Sequence, residues 1–194
     1  MRTPAALAQV AITFALALMM GATQAAPSTK FEPALQVQGV PLQLNGAGTR
    51  FKAIFKVYDM GLYTTKKVST AEELLALPGP KRLQFVALRE LPSTDLGRLF
   101  IKGMSENSPR EMVQKHTVSS SRLIEVFSGR SKLMPGDSFA MEFVPNKGTQ
   151  FYIVGQPQGG PVGDAEFFAM VLKIWFGASP ADNLLKDALL GAER

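Results

Sequence analysis

Segments with a two-residue hydrophobic period and segments with a helical period do not alternate strictly along this chain, and that ordering limits the fold more than any single motif. "LQVQGVPLQL" (35–44) alternates apolar and polar residues on either side of Gly39, and "NGAG" (45–48) reads as a turn. "GTRFKAIFKVYDMGLY" (48–63) supplies a second strand. "STAEELLAL" (69–77) has Ser69 or Thr70 as N-cap ahead of Glu72 and Glu73, a short helix stopped by "PGP". "KRLQFVALREL" (81–91) returns to a strand. From 92 to 109, behind capping candidates Ser93 and Thr94, apolar residues recur every three or four positions, so the spacing predicts an amphipathic helix. Pro109 ends it and suits the first turn of a further helix to about 127. Strands at 135–145 and 149–155 form a hairpin across "NKG", followed by helices at 163–177, capped by Asp164, and 179–191. Strands, short helix, strand, two helices, hairpin, two helices: this order predicts an α+β fold, an antiparallel sheet with helices packed on one side.

The N-terminus has a different character. Arg2 precedes an apolar run from Ala5 to Met20 and then small residues ending at Ala25, the pattern of a secretory signal peptide. The run is about 16 residues, short of the ~20 that an uncleaved membrane anchor would need. The expectation is cleavage after Ala25, a short mature leader at 26–34, one domain at 35–191, and a periplasmic or secreted protein. With no cysteine, the chain has neither a disulfide framework nor a lipid-attachment site, so packing must hold it together and no stable membrane anchor survives cleavage. The net charge of +5 is spread without a Lys/Arg run or an aromatic-interleaved basic stripe, which argues against nucleic acid as a partner.

Catalytic motifs are scarce. His116 is the single histidine, so a His/Cys metal site is excluded and no metal is expected. Ser119 to Ser121 lie near it but on the same expected helix, with no third group to orient a nucleophile. There is no G-x-S-x-G elbow. "GQPQGGP" (155–161) lacks the lysine and helix start of a phosphate loop and reads as a turn, as does Asp137 in "PGDSF". No cofactor is implied.

What remains is the strand at 48–63. Phe51, Ala53, Phe55 and Val57 alternate onto one face, and Arg50, Lys52, Ile54, Lys56 and Tyr58 onto the other. This second face either is solvated or lines a cleft in which cationic and hydroxyl donors fix an anionic head while apolar walls hold a tail.

Four stretches in order, "NGAGTRFKAIFKVYDMGLY", "ALRELPSTDLGRLFIKGMSEN", "GDSFAMEFVPNKGTQFYIVG" and "KIWFGASPADNLLKDALLG", make the chain resemble the chalcone isomerase-like family over about 35–191, most closely its exported bacterial branch. The resemblance implies an open-faced β-sandwich, a large antiparallel sheet with helices packed against it and a cleft between. True isomerases of the family close a flavanone ring from a chalcone; relatives without that activity bind fatty acids. By resemblance the family's key arginine falls on Arg50. The isomerases' water-organising threonine falls on Tyr58, where fatty-acid-binding relatives also carry tyrosine. Their helix tyrosine and asparagine fall on Phe100 and Asn107, their lysine on Gly103 with Lys102 one residue off, and their late threonine or serine on Ile174.

Cyclisation needs a phenolate steered by cations and an enolate stabilised by hydroxyls and water. Phe100 and Ile174 offer neither, but they suit an acyl chain. The reading is therefore an exported protein that binds a small amphipathic anion, most plausibly a fatty acid, through Arg50, Tyr58, Ile54, Lys56, Phe100, Asn107 and Ile174, without robust isomerase activity. The alternatives are an isomerase or lyase for a phenolic or enone substrate, working through Arg50 and Asn107, and a structural protein with an occluded cleft. One arithmetic objection stands: eight residues of straight strand place Arg50 and Tyr58 about 26 Å apart, which makes Lys56 the nearer partner of Tyr58.

Overall fold

Seven antiparallel strands form one curled sheet, in the order β1-β2-β3-β4-β7-β8-β9, in a computed structural model that describes residues 27–191. The signal peptide expected at 1–25 lies outside the described residues. The sheet strands are β1 (Ala34–Val37), β2 (Val40–Lys52), β3 (Phe55–Thr64), β4 (Lys81–Ala87), β7 (Ser138–Val144), β8 (Gly148–Ile153) and β9 (Gln156–Val162). A two-stranded ribbon, β5 (Leu91–Pro92) and β6 (Lys132–Leu133), stands apart. Between β3 and β4 lies α1 (Ala71–Ala76), and between β5 and β6 lie α2 (Ser93–Glu106), α3 (Arg110–Lys115) and α4 (Thr117–Ser128). The chain ends in α5 (Ala165–Phe176) and α6 (Asn183–Leu189). The α+β architecture with helices on one side of a large antiparallel sheet is as the sequence implies.

Alternation along β3 explains the layering. Tyr58, Met60 and Leu62 point into the main core beneath the helices, where α5 buries Phe167, Phe168, Val171 and Trp175. Asp59, Gly61 and Tyr63 point to the opposite face, so β3 is buried on both sides. Residues 29–33 cover that opposite face. The Thr29 N–H donates to Asp59 Oδ2 at 2.7 Å, the Tyr63 hydroxyl donates to the Glu32 carbonyl at 3.0 Å, and a side chain at Gly61 would collide with the Phe31 ring. Residues 29–33 are thus a packed strap.

Several elements differ from the sequence expectation, each for a local reason. Residues 48–63 are not one strand: β2 and β3 form a hairpin that turns at Ala53 and Ile54, with Ala53 at φ +53°. "NGAG" is not a turn but lies within β2, where α6 comes so close that a side chain at Gly46 would strike the Ala188 and Leu189 carbonyls. The helix expected over 109–127 breaks at His116 into α3 and α4. "GQPQGGP" is mostly edge strand β9, reached through a turn at Val154 and Gly155, and its prolines cost nothing where no further strand needs their N–H. Pro92, not Ser93 or Thr94, precedes α2, without a side-chain cap. Thr70 caps α1 and Asp164 caps α5 as expected, and α6 starts later than the 179 expected, with Asp182 as its cap.

Candidate functional site

The β2–β3 hairpin removes the distance objection to Arg50 and Tyr58. Because the chain reverses between them, Arg50 and Tyr58 are register partners, directly opposite each other on the helix-covered face. Opposed residues in such a pair sit roughly 4.5–5.5 Å apart, not the length of a strand. A register shift between Arg50 and Phe51 leaves Val57 as the extra residue of a bulge, which keeps the pair aimed inward just before the hairpin frays into solvent.

Three side chains build the polar end. The Arg50 guanidinium carbon lies 5.6 Å from the Tyr58 ring centroid. The Trp175 indole N–H, from α5, donates to the Tyr58 hydroxyl oxygen at 2.8 Å. An indole can only donate, so the phenol accepts there and keeps its own hydrogen free to donate. Burial pushes the Tyr58 phenol above its ordinary pKa, with the Arg50 charge and hydrogen bonds from Trp175 and Arg50 opposing this, so it is a neutral donor at physiological pH. Arg50 Nε is buried and unpartnered, and no carboxylate among the described residues lies within 4 Å of the guanidinium. Asp182 is occupied elsewhere, accepting from the backbone N–H groups of Phe51 at 3.0 Å and Leu185 at 3.1 Å. A buried donor without an acceptor costs about 1–3 kcal/mol.

These groups open into a cleft of about 230 Å³ between the sheet and α2, walled by Leu96, Leu99, Phe100, Ile174 and Trp175. Lys102 and Glu106 stand at its rim, paired with each other at 3.2 Å. A second cavity of about 30 Å³ lies behind Tyr58, Leu96, Phe100 and Trp175, lined further by Phe85 and Phe139. The arrangement is a half-buried cation with a buried Nε, and a phenol hydrogen, at one end of a slot whose walls are apolar and whose edge carries Lys102, Glu106 and Ser179. It can hold an anion by two donors and cover its body, and besides Tyr58 its lining hydroxyl is that of Ser179, at the edge.

Of the residues expected from sequence, Arg50, Tyr58, Phe100 and Ile174 line this cleft together. Ile54 and Lys56 do not: Ile54 is 84% exposed at the hairpin tip, and Lys56 is exposed beside it. The expected alternation placed them with Arg50 only because it ran straight through the turn. Asn107 is not a lining residue either. Its Nδ2 donates to the Gly103 and Ser179 carbonyls, both at 2.9 Å, and its Oδ1 accepts from the Ser179 N–H at 2.8 Å, so it ties the end of α2 to the loop after α5. Gly103, where the isomerases' lysine falls, packs against Ile174, and even a Cβ there would approach Ile174 Cγ2 to 3.0 Å. Trp175 was missed. Its signal was present, since a lone tryptophan on a strongly apolar helix must find an acceptor when buried.

His116 has a different task. It is buried at the α3–α4 break, with Nε2 2.8 Å from Glu166 Oε2 and 3.9 Å from Asp164 Oδ1. Lys115 Nζ holds the same Glu166 oxygen at 2.5 Å, and Asp164 Oδ1 caps α5 through the Phe167 N–H. Those bonds engage one oxygen of each carboxylate. The hydrogen bonds from Lys115 and then His116 hold the Glu166 carboxyl below its usual range, as befits a tie between helices.

A family model described as chalcone isomerase-like matches residues 23–191. The crystal structure of a fatty-acid binding protein from Arabidopsis thaliana is similar to this fold with a TM-score of 0.64 at 14% identity, covering 82% of this chain and 90% of that one. No curated protein matches the chain in sequence.

Proposed function

This chain belongs to the chalcone isomerase-like family, and from that premise we propose that it binds a fatty acid in the Arg50–Tyr58 cleft and does not catalyse ring closure. The observation that carries the reading is the buried Arg50 Nε with no partner, beside a phenol whose hydrogen is free and above an apolar slot. A carboxylate accepts from both donors at once, and charge-assisted bonds of this kind are about twice as strong as neutral ones. The similarly folded protein that binds fatty acids supports the same ligand class. The cleft is smaller than the ~300–1,000 Å³ typical of ligand pockets, so the head and the first carbons fit as it stands. A longer tail reaches the inner aromatic cavity only when Phe100 or Trp175 shifts.

Isomerisation is disfavoured by the walls. Phe100 and Ile174 line the cleft, and by the family resemblance they fall where an isomerase would present hydroxyls to the developing enolate, one such donor being worth about 2.7–4 kcal/mol. The signal-like N-terminus leads us to place the protein outside the cytoplasm, with the mature chain beginning at Ala26.

The test is mass spectrometry of small molecules extracted from natively purified protein. Co-purified saturated or unsaturated carboxylic acids, in amounts that fall in Arg50→Ala, are the expected result. An empty protein that also fails to take up acids from octanoate to palmitate contradicts the reading. The same preparation should cyclise a chalcone no faster than buffer, and N-terminal sequencing should read from Ala26.

A further inference from the structure

The tip of the β2–β3 hairpin is the most exposed apolar point among the described residues: Ile54 is 84% exposed and Phe55 59%. Neither packs into the core, and the turn spends a left-handed alanine, Ala53 at φ +53°, to present them. L-residues adopt that conformation at a cost, so the protrusion is held against both sterics and hydration. Cations surround it. Lys52 and Lys56 flank the turn, and Arg89 lies over the Phe55 ring at 5.9 Å, brought there by the Leu88 N–H bond to the Val57 carbonyl at 3.0 Å. None of the three is paired with a carboxylate among the described residues, and neighbouring Glu90 is neutralised by Lys132 at 2.7 Å. Two register positions inward stands Arg50 at the cleft.

We propose that this tip docks the protein on an anionic lipid bilayer, with Ile54 and Phe55 entering the acyl boundary and Lys52, Lys56 and Arg89 meeting headgroup phosphates. An apolar wedge ringed by unpaired cations complements that surface in both its layers, whereas a water-facing hairpin has no use for the wedge. Docking sets the cleft mouth, with half-exposed Leu99 on its rim, near the plane where a fatty acid's carboxylate resides. That delivery role rests on the fatty-acid reading; the docking does not.

Flotation of the mature protein with vesicles of phosphatidylcholine, with and without phosphatidylglycerol, tests it. The expected result is binding to the anionic vesicles that weakens with salt and is slight on pure phosphatidylcholine. Lys52→Gln with Lys56→Gln should weaken it roughly thirtyfold, at about 1 kcal/mol per lysine. Ile54→Ser with Phe55→Ser should weaken it more than tenfold while the melting transition stays in place, since both side chains are exposed. Wild-type protein that fails to float, or tip variants that float as well as wild type, would overturn the proposal. So would self-association in light scattering that the tip variants abolish, because the wedge would then serve a second copy. Titration of decanoate without vesicles separates the two ideas: acid binding without flotation sinks docking alone, and flotation without acid binding sinks the fatty-acid reading alone.

Discussion

Arg82 on β4 and Arg50 on β2 lie over tyrosine rings on opposite faces of the same sheet, Arg82 5.5 Å from the centroid of Tyr152 and Arg50 5.6 Å from that of Tyr58. Their surroundings diverge from there. Arg82 is partnered at all three nitrogens: Nη1 donates to Glu142, and Nε and Nη2 donate to Gln84 Oε1 at 3.0 and 2.6 Å. The Tyr152 hydroxyl closes the circuit on Glu142 Oε2 at 3.1 Å. Arg50 has the ring but no acid, and its tyrosine receives a hydrogen bond instead of giving one. One arginine is tied to a carboxylate across the sheet; the other has no carboxylate within reach among the described residues. A buried cation is thus no evidence of a site until its partners have been counted.

Glu142→Ala strands Arg82, whose side chain is only 19% exposed, and should cost about 3 kcal/mol, because breaking a buried pair leaves one charge uncompensated. For a domain of this size that lowers the melting temperature by roughly 10 °C. Fatty-acid affinity should be untouched, and a loss of binding with an unchanged melt would reverse the assignment of the two arginines.

Tyr58→Phe is the next largest effect. It takes the acceptor from the buried Trp175 N–H, which should cost about 1.5 kcal/mol in chemical denaturation. It also removes the hydroxyl donor from the cleft, so acid affinity should fall severalfold. Indole fluorescence reports the first change and titration the second.

Lys81 sharpens the contrast with a third buried cation, one that has only carbonyls for partners. Its Nζ donates to Leu77 O at 2.5 Å, and burial lowers its pKa to about 8. The unfolded chain keeps this proton to higher pH than the folded one, so stability should rise as pH climbs from about 8 towards 10. Above about pH 10 the buried phenols oppose the trend, since Tyr58 and Tyr63 hold their protons longer folded than unfolded. Thermal melts across that window should show the transition rising with pH, and Lys81→Met should flatten the slope. A slope that survives in the variant would assign it to another group.

How far the sequence carried this account depends on the kind of signal. Asp164 ahead of an apolar helix and the order of strand and helix segments were legible because capping and periodicity are local. The hairpin at Ala53–Ile54 was not, since its turn uses alanine and isoleucine where glycine or asparagine is the usual mark. Conversely, "NGAG" carried a turn signal for a reason the sequence hides: Gly46 is small because α6 packs on it from 142 residues away in the chain, where Ala188 approaches. Arg50 and Tyr58 were named through family resemblance, and only the register shows how they meet. Trp175 became part of the site through packing alone, and Asn107 left it the same way.

If Arg50, free of any carboxylate among the described residues, is kept for a ligand's carboxylate, calorimetric titration of decanoate into wild type and Arg50→Ala should show it. A charge-assisted hydrogen bond is worth about 1.5–3 kcal/mol, so the variant should bind about ten- to a hundredfold more weakly. Its melting transition should stay in place or rise, because the substitution removes an unsatisfied buried donor. Equal affinity in the two proteins, or weaker binding explained by a fall in stability, would contradict the claim.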